Sequence, residues 1–356
     1  MTKQTPLHAL HLESSAKMID FHGWQMPIHY GSQIKEHEVV RNDCGIFDVS
    51  HMTILDLKGD RTKEFLMKLL ANDVQKLKNN YDYLYSAMLN EEGFVIDDLM
   101  AYKMGFGYRL IVNCARRDYD IGWIKHNLKE WDISMSEKSD LCILAIQGPN
   151  TPEVLSRTDH KFLSEIITKK SPSGDFKDQI LATNTGYTGE KGLELVVPSE
   201  IGIILWKELL DLGAKPAGLG ARDTLRIEAG LNLYGNDMDD SISPLECNMS
   251  WTVDLKDEQR NFIGKIPYCN LRNEDKHLIQ VGLIFEERAI VRRNQKVTIG
   301  GDENLEGIVT SGSYSPTLKK SIALARIPVT EEDYCFAEVR GETIRAKITR
   351  PKFINL

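Results

Sequence analysis

The residues best suited to chemistry in this sequence are acids placed where an acid is costly. Asp97 and Asp98 sit together in the run Gly93-Phe94-Val95-Ile96-Asp97-Asp98-Leu99-Met100-Ala101-Tyr102. A half-buried strand sends alternate side chains to opposite faces, so two successive acids put one carboxylate among apolar neighbours whichever face is covered. Asp97 shares its face with Val95, Leu99 and Ala101, and Asp98 shares its face with Ile96, Met100 and Tyr102. Burying a carboxylate in such company is unfavourable without a partner. That cost marks the pair as a candidate for proton or charge chemistry, and alternation alone does not choose between the two.

A third acid, Glu194, lies between Leu193 and Leu195 and is expected to face away from both. It follows the glycine-dense segment Gly186-Tyr187-Thr188-Gly189-Glu190-Lys191-Gly192. A phosphate loop needs Gly-Lys-Ser/Thr and a following helix, and neither is here, so the segment reads as a hairpin turn whose glycines permit positive φ. Farther on, Gly218-Leu219-Gly220-Ala221-Arg222-Asp223 opens a helix but lacks the third glycine of a dinucleotide fingerprint. Arg222 reads equally well as a functional cation and as part of a surface ion-pair cluster with Asp223 and Arg226 at helical spacing. Phe21, His22, Trp24, His29, Tyr30 and His51 crowd the N-terminal region without metal-ligand spacing. Ser50 and His51 are adjacent and so rarely face one another, which makes packing and local hydrogen bonding the expected role of His51. Thr310-Ser311-Gly312-Ser313-Tyr314-Ser315-Pro316-Thr317 reads as a polar surface turn.

These groups need a scaffold of several domains, because 356 residues exceed one simple core. A net charge of −8 argues against a nucleic-acid binder that relies on a general positive field. No apolar stretch is long enough to span a bilayer, and Met1–Pro6 carries no signal core or Arg-rich presequence. Six scattered cysteines without a CxxC pair suit reduced thiols and a cytoplasmic enzyme. Helices are expected at Gln33–Arg41, Arg61–Leu70, Ile203–Leu212 and Ala221–Ala229, with a further one carrying Ile121, Ile124, Leu128 and Trp131. Tyr83–Leu89, Phe94–Tyr102 and Tyr108–Asn113 read as an antiparallel meander. Strands are also expected at Met52–Leu57, Cys142–Ile146, Ile180–Thr183 and Leu193–Pro198. From Asp275 on, the short runs Leu278–Phe285, Gln295–Ile299, Gly307–Thr310, Ser321–Ile327 and Cys335–Arg340 predict a small all-β barrel or sandwich.

Taken together, the ordered motifs resemble a known family. Asp20-Phe21-His22-Gly23-Trp24-Gln25-Met26-Pro27, Gly45-Ile46-Phe47-Asp48-Val49-Ser50-His51-Met52, Ile96-Asp97-Asp98-Leu99, Gln147-Gly148-Pro149, Gly186-Tyr187-Thr188-Gly189-Glu190, Gly218 to Asp223, Tyr234-Gly235-Asn236-Asp237-Met238 and Thr310 to Thr317 are similar to those of the aminomethyltransferase, or T-protein, family of the glycine cleavage system. The resemblance implies an α+β, three-domain folate-binding aminomethyltransferase fold. A discontinuous α+β domain would take 1–51 and 140–255, a second α+β domain with the meander 52–139, and a C-terminal β-barrel or sandwich 275–356. It implies transfer of the methylene carbon from an aminomethyl group on lipoylated H protein to tetrahydrofolate, releasing ammonia and forming 5,10-methylenetetrahydrofolate. The H protein works with the P and L proteins of the same system, and no metal, nucleic acid or membrane is implied.

By position, the resemblance makes Asp98 the catalytic acid, placed to orient the weakly nucleophilic folate N10 and take its proton or to stabilise an iminium-like carbon. It puts Glu194 on the amino and ring N–H donors of the pterin and Arg222 on the pterin carbonyl or on Glu194. Tyr85, Tyr102, Asn113 and Tyr187 fall where they would line the same pocket, and Arg292 falls on an arginine near the catalytic acid. The rival functions fit less well. A sarcosine- or dimethylglycine-oxidising relative would carry a flavin domain, a folate-dependent iron–sulfur maintenance protein would carry Lys-Gly-Cys, and a folate-binding module without turnover would not need the intact Asp98, Glu194 and Arg222 set.

Overall fold

Strand alternation decides which sheet faces are apolar. In a computed structural model, which describes residues 2–274, 277–300 and 302–354, the chain forms two compact units. One comprises Met1–Leu66, Val74–Tyr85 and Leu99–Asp223, and the other Met67–Asp73, Ser86–Asp98 and Thr224–Leu356. Among the described residues no helix is long and apolar enough to cross a membrane.

The first unit holds a six-stranded sheet in the order Gly174–Lys177, Ile180–Thr183, Gly192–Pro198, Leu141–Gln147, Gly45–Asp48, Lys215–Pro216. Its neighbours are antiparallel except the last pair. Leu193, Leu195 and Val197 point to one face with Leu144 and Ala182, where Phe162, Leu163 and Ile166 of helix Lys161–Thr168 and Leu205, Trp206 and Leu209 of helix Ser199–Asp211 cover them. Glu194 therefore points to the other face, as its place between two leucines predicts. On that face its cross-strand partners are Ala145 and Thr183.

A second sheet runs in the order Tyr83–Leu89, Val95–Met104, Gly107–Val112, Thr53–Lys58, Ser134–Glu137. Its first three strands are the expected meander. A small N-terminal sheet joins Lys3–Gln4, Trp24–His29 and Lys17–Phe21, and the turn between its two longer strands is His22-Gly23, both at positive φ.

In the second unit six strands close a barrel in the order Leu278–Phe285, Lys320–Pro328, Asp302–Ser315, Lys296–Ile299, Tyr334–Val339, Glu342–Thr349. Val281, Leu283, Phe285, Val309, Ala325 and Ala346 are among the side chains filling it. Closure comes from pairing of the first and last strands, Gly282 opposite Thr349 and Phe285 opposite Ala346. The expected all-β segment 275–356 reaches positions 275–276, 301 and 355–356, which lie outside the described residues.

Two local expectations are overturned. Thr310 and Ser311 are not in a surface turn. They belong to strand Asp302–Ser315, at a register shift between Val309 and Ser311, and both are buried. Arg226 is not part of a surface cluster either. It is 1% exposed, and its guanidinium donates to Asp237 Oδ2 (2.9 Å), Leu231 O (3.0 Å) and Ser311 Oγ (2.9 Å). A buried counter-charge and two further acceptors outweigh the weak surface pairing that helical spacing offers.

Candidate active site

The glycine-dense loop after Thr183 is shaped by a neighbour far away in sequence. Gln147 is fully buried; its Nε2 donates to Thr185 O (3.0 Å), and its Oε1 accepts from Thr188 Oγ1 (2.8 Å). A Cβ on Gly186 would lie 1.9 Å from Gln147 Oε1 and one on Gly192 2.2 Å from Gln147 Nε2, so both positions exclude larger residues. Arg41 Nη1 clamps the same loop through Thr188 O (2.8 Å) and Glu190 Oε1 (2.9 Å). The loop thereby presents Tyr187, over whose ring the Arg222 guanidinium stacks at 4.4 Å, a cation–π contact.

Arg222 is aimed from the start of helix Leu219–Ala229. The glycines before it serve close approach rather than phosphate binding. A Cβ on Gly218 would fall 2.5 Å from the carbonyl carbon of Ile28, and the Gly218 N–H donates to Glu36 Oε2 (3.0 Å), whose other oxygen accepts from Tyr30 N (2.7 Å). His51 shares the electrostatic surroundings of Arg222. Burial, then the Arg222 charge, lowers its pKa to about 4, so the imidazole is neutral at physiological pH. His51 packs edge-on against Phe21 at 5.4 Å, and its Nδ1 is buried without a hydrogen-bond partner. Packing explains the ring, then, but not the polar atom.

Glu194 sits half-buried with Tyr102 close enough for its charge to act on the phenol. Burial first, and Glu194 next, hold the Tyr102 hydroxyl well above the usual tyrosine range, so it stays protonated. The Tyr102 ring lies 6.0 Å from that of Tyr83. Tyr83 is anchored in turn, its hydroxyl donating to Asn184 (2.9 Å) and meeting Ser171 Oγ at 2.8 Å. Across the strand from Tyr102, Arg109 makes a bidentate pair with Asp56, at 2.7 and 3.0 Å.

The structure thus brings Glu194 together with Tyr102, and Arg222 with Tyr187. Tyr85 is half-buried on the same strand face as Tyr83, and Asn113 is half-buried just ahead of the turn Cys114–Arg116. Asp98 and Arg292 belong to the second unit. Asp97 is fully buried and Asp98 half-buried, so of the two acids only Asp98 keeps partial access to solvent. Arg292 is exposed, with its backbone N–H donating to Gln295 Oε1 (2.9 Å). Tyr83 and Thr183 are not singled out by the sequence pattern. Period-two spacing from Tyr85 could have marked Tyr83, whereas Thr183 becomes a neighbour of Glu194 only through strand register.

Known proteins resemble this chain along its whole length. The GCVT N-terminal domain family matches residues 7–257, and the glycine cleavage T-protein C-terminal barrel domain matches residues 276–355. A curated aminomethyltransferase of Legionella pneumophila (strain Paris) is 47% identical over 357 residues, covering 100% of this chain and 99% of that protein. One from Legionella pneumophila (strain Lens) is 46% identical with the same coverage. The crystal structure of the glycine cleavage system aminomethyltransferase T from Bartonella henselae matches with a TM-score of 0.88 at 29% identity, covering 99% of this chain and 98% of that one. With both domain families matched in order and the likeness running end to end, the chain belongs to the glycine cleavage T-protein family and has its aminomethyltransferase activity.

Proposed function

We propose that the protein takes the aminomethyl group carried on the sulfur of lipoylated H protein and passes its methylene carbon to tetrahydrofolate, releasing ammonia and leaving 5,10-methylenetetrahydrofolate and, as the carbon–sulfur bond breaks, the dihydrolipoyl form of the H protein. The observation that carries the reading is a carboxylate, Glu194, held mid-strand on a sheet face beside the neutral phenol of Tyr102. Such a carboxylate suits the adjacent amino and ring N–H donors of a pterin, a charge-assisted and bidentate match. Arg222, stacked on Tyr187, supplies a cation for the pterin carbonyl, and Tyr85 and Asn113 complete the lining.

Asp98 is the proposed catalytic acid. The folate N10 is an aniline-type nitrogen and a weak nucleophile. Asp98 orients it and accepts its proton as the new C–N bond forms, and the same charge stabilises the iminium-like carbon as ammonia leaves. Arg292 is assigned a place near that acid. The partners proposed are the H protein directly and the P and L proteins through it. Three domains, 1–51 with 140–255, 52–139, and 275–356, would share the work. The proposed compartment is the cytoplasm, which suits six free thiols.

The test is an assay of purified protein with aminomethylated H protein and tetrahydrofolate. Asp98→Asn is expected to lose about 10²–10⁴-fold in methylenetetrahydrofolate formation, the usual weight of general acid–base assistance, while tetrahydrofolate still binds. Full turnover in that variant would remove Asp98 from the mechanism.

A further inference from the structure

The loop that presents Tyr187 is held by a buried ion pair. Arg41 Nη1 donates to Glu190 Oε1 at 2.9 Å, and the two side chains are 6% and 8% exposed. The same nitrogen donates to Thr188 O at 2.8 Å. Desolvating two charges offsets most of their attraction, so such a pair adds little net stability. What this pair fixes is the conformation of residues 184–191, which have no helix or strand of their own to hold them. Other ties flank Tyr187. Thr185 O accepts from Gln147 Nε2 (3.0 Å), the Glu190 N–H donates to Thr188 Oγ1 (3.1 Å), and Lys191 O accepts from the Gly148 N–H (2.8 Å). Tyr187 is thereby an anchored platform, and the Arg222 guanidinium carbon lies over it, 4.4 Å from the ring centroid. A long, flexible side chain is thus ordered before a ligand arrives, which lowers the ordering cost of binding.

The ordered group is chemically one-sided. A guanidinium has N–H donors, no acceptor, and does not lose its proton in a protein. We infer that Arg41 is a positioning residue that, through Tyr187, fixes Arg222 as a donor-only contact and so makes the site select a 4-oxo pteridine over a 4-amino one. The inference rests on the proposal that Arg222 meets the pterin carbonyl and Glu194 the amino and ring N–H donors. Exchanging the 4-oxo group for an amino group sets donor against donor at Arg222. It also strips the hydrogen from the adjacent ring nitrogen, which faces Glu194. Only the first mismatch depends on Arg41. A loosely held arginine swings aside and tolerates it, whereas a clamped one leaves donors unpaired in a partly desolvated site.

The experiment measures dissociation constants of tetrahydrofolate and of its 4-amino-4-deoxy counterpart on the full-length protein, with a melting temperature for each variant to confirm folding. The parent is expected to prefer the 4-oxo ligand by about 100-fold or more. Arg41→Ala should weaken tetrahydrofolate binding about tenfold, the weight of one hydrogen bond, and shrink the preference by a similar factor. Arg41→Met with Glu190→Leu, which leaves no charge buried alone, carries the same expectation and guards against a folding defect. Glu190→Gln keeps an acceptor for Arg41 and should stay close to the parent in both values. Tyr187→Leu should match Arg41→Ala, and combining the two should change neither value further, because Arg41 acts through the ring. A parental preference in folded Arg41→Ala, or independent addition of the Arg41 and Tyr187 effects, would overturn the inference while Glu194→Gln still weakens tetrahydrofolate binding. Unchanged affinity in both Glu194→Gln and Arg222→Gln would overturn the pterin assignment itself, and the role of Arg41 with it.

Discussion

Asp237 offers the sharpest test of how the second unit is held together. Its Oδ2 accepts from Arg226 Nη1, Ser311 Oγ and the Leu233 N–H, each at 2.9 Å, and its Oδ1 accepts from Thr310 Oγ1. Asp237 and Arg226 are each 1% exposed. Asp237→Asn preserves the shape but removes the charge and turns one acceptor into a donor facing other donors. Arg226 then loses the Asp237 carboxylate from its buried surroundings, a defect that costs about 3–5 kcal/mol. The orphaned hydroxyl and amide donors cannot simply be added to that figure, because they share one network. For a unit of this size each kcal/mol moves the melting temperature by about 2–4 °C, so a fall of about 6–20 °C is expected in thermal unfolding followed by circular dichroism. Replacing both charges, as in Arg226→Met with Asp237→Leu, should recover much of the loss, because an apolar pair of similar volume often equals a buried ion pair. A melting temperature for Asp237→Asn within about 2 °C of the parent, or a double variant worse than the two single changes combined, would refute the reasoning.

Two further outcomes follow from burial. His51 titrates near 4 in the folded protein against about 6.5 when unfolded. The unfolded chain therefore binds the extra proton between those values, and stability should fall as pH drops from about 6.5 to 4, by about 3 kcal/mol in all. His51→Phe should flatten that slope in melting temperatures measured across the window, and an unaltered slope would count against the assignment. Gly218→Ala should lower stability by about 1–3 kcal/mol, an overpacking cost, since its Cβ would press on the Ile28 backbone at 2.5 Å. Gly122→Ala, with nothing within 4 Å in helix Arg117–Leu128, should instead gain about 0.5–1 kcal/mol. Equal melting temperatures for the two would contradict the steric reading.

Much of the fold is legible from periodicity, because alternation and helical spacing are local. The meander, helix Gln33–Asn42 and strand Ile180–Thr183 lie where the pattern predicts them. Strand Glu342–Thr349 is not among the expected strands although its alternation is plain, with Ile344 and Ala346 inside the barrel and Arg345 and Lys347 between them. The choice between barrel and sandwich was not legible at all. It depends on which strands pair at the ends, and no local pattern encodes that. Thr310 to Ser315 misled through composition, whereas Pro316 and Thr317 do lie in a turn. Ser, Gly and Pro suggest a turn, but these hydroxyls are spent on acids many residues away. Thr310 and Ser311 donate to Asp237, and Ser315 and Thr317 to Glu228.

The same distinction explains the candidate site. The face on which Glu194 lies follows from Leu193 and Leu195 alone, but its company does not. Thr183 is its neighbour by strand register. Tyr102 reaches it from another sheet, and Tyr187 is presented by a loop that Gln147 and Arg41 clamp. These dependencies also give physical content to the ordered motifs. Gln147 fits only because positions 186 and 192 lack a Cβ, so Gln147-Gly148-Pro149 and Gly186 to Gly192 form one structural unit divided in sequence. Gly218 is bound in the same way to the backbone of Ile28. A series of short motifs, each weak alone, is therefore specific as a set because the motifs are complementary surfaces, and changing one without its partner would displace the side chains that the site requires.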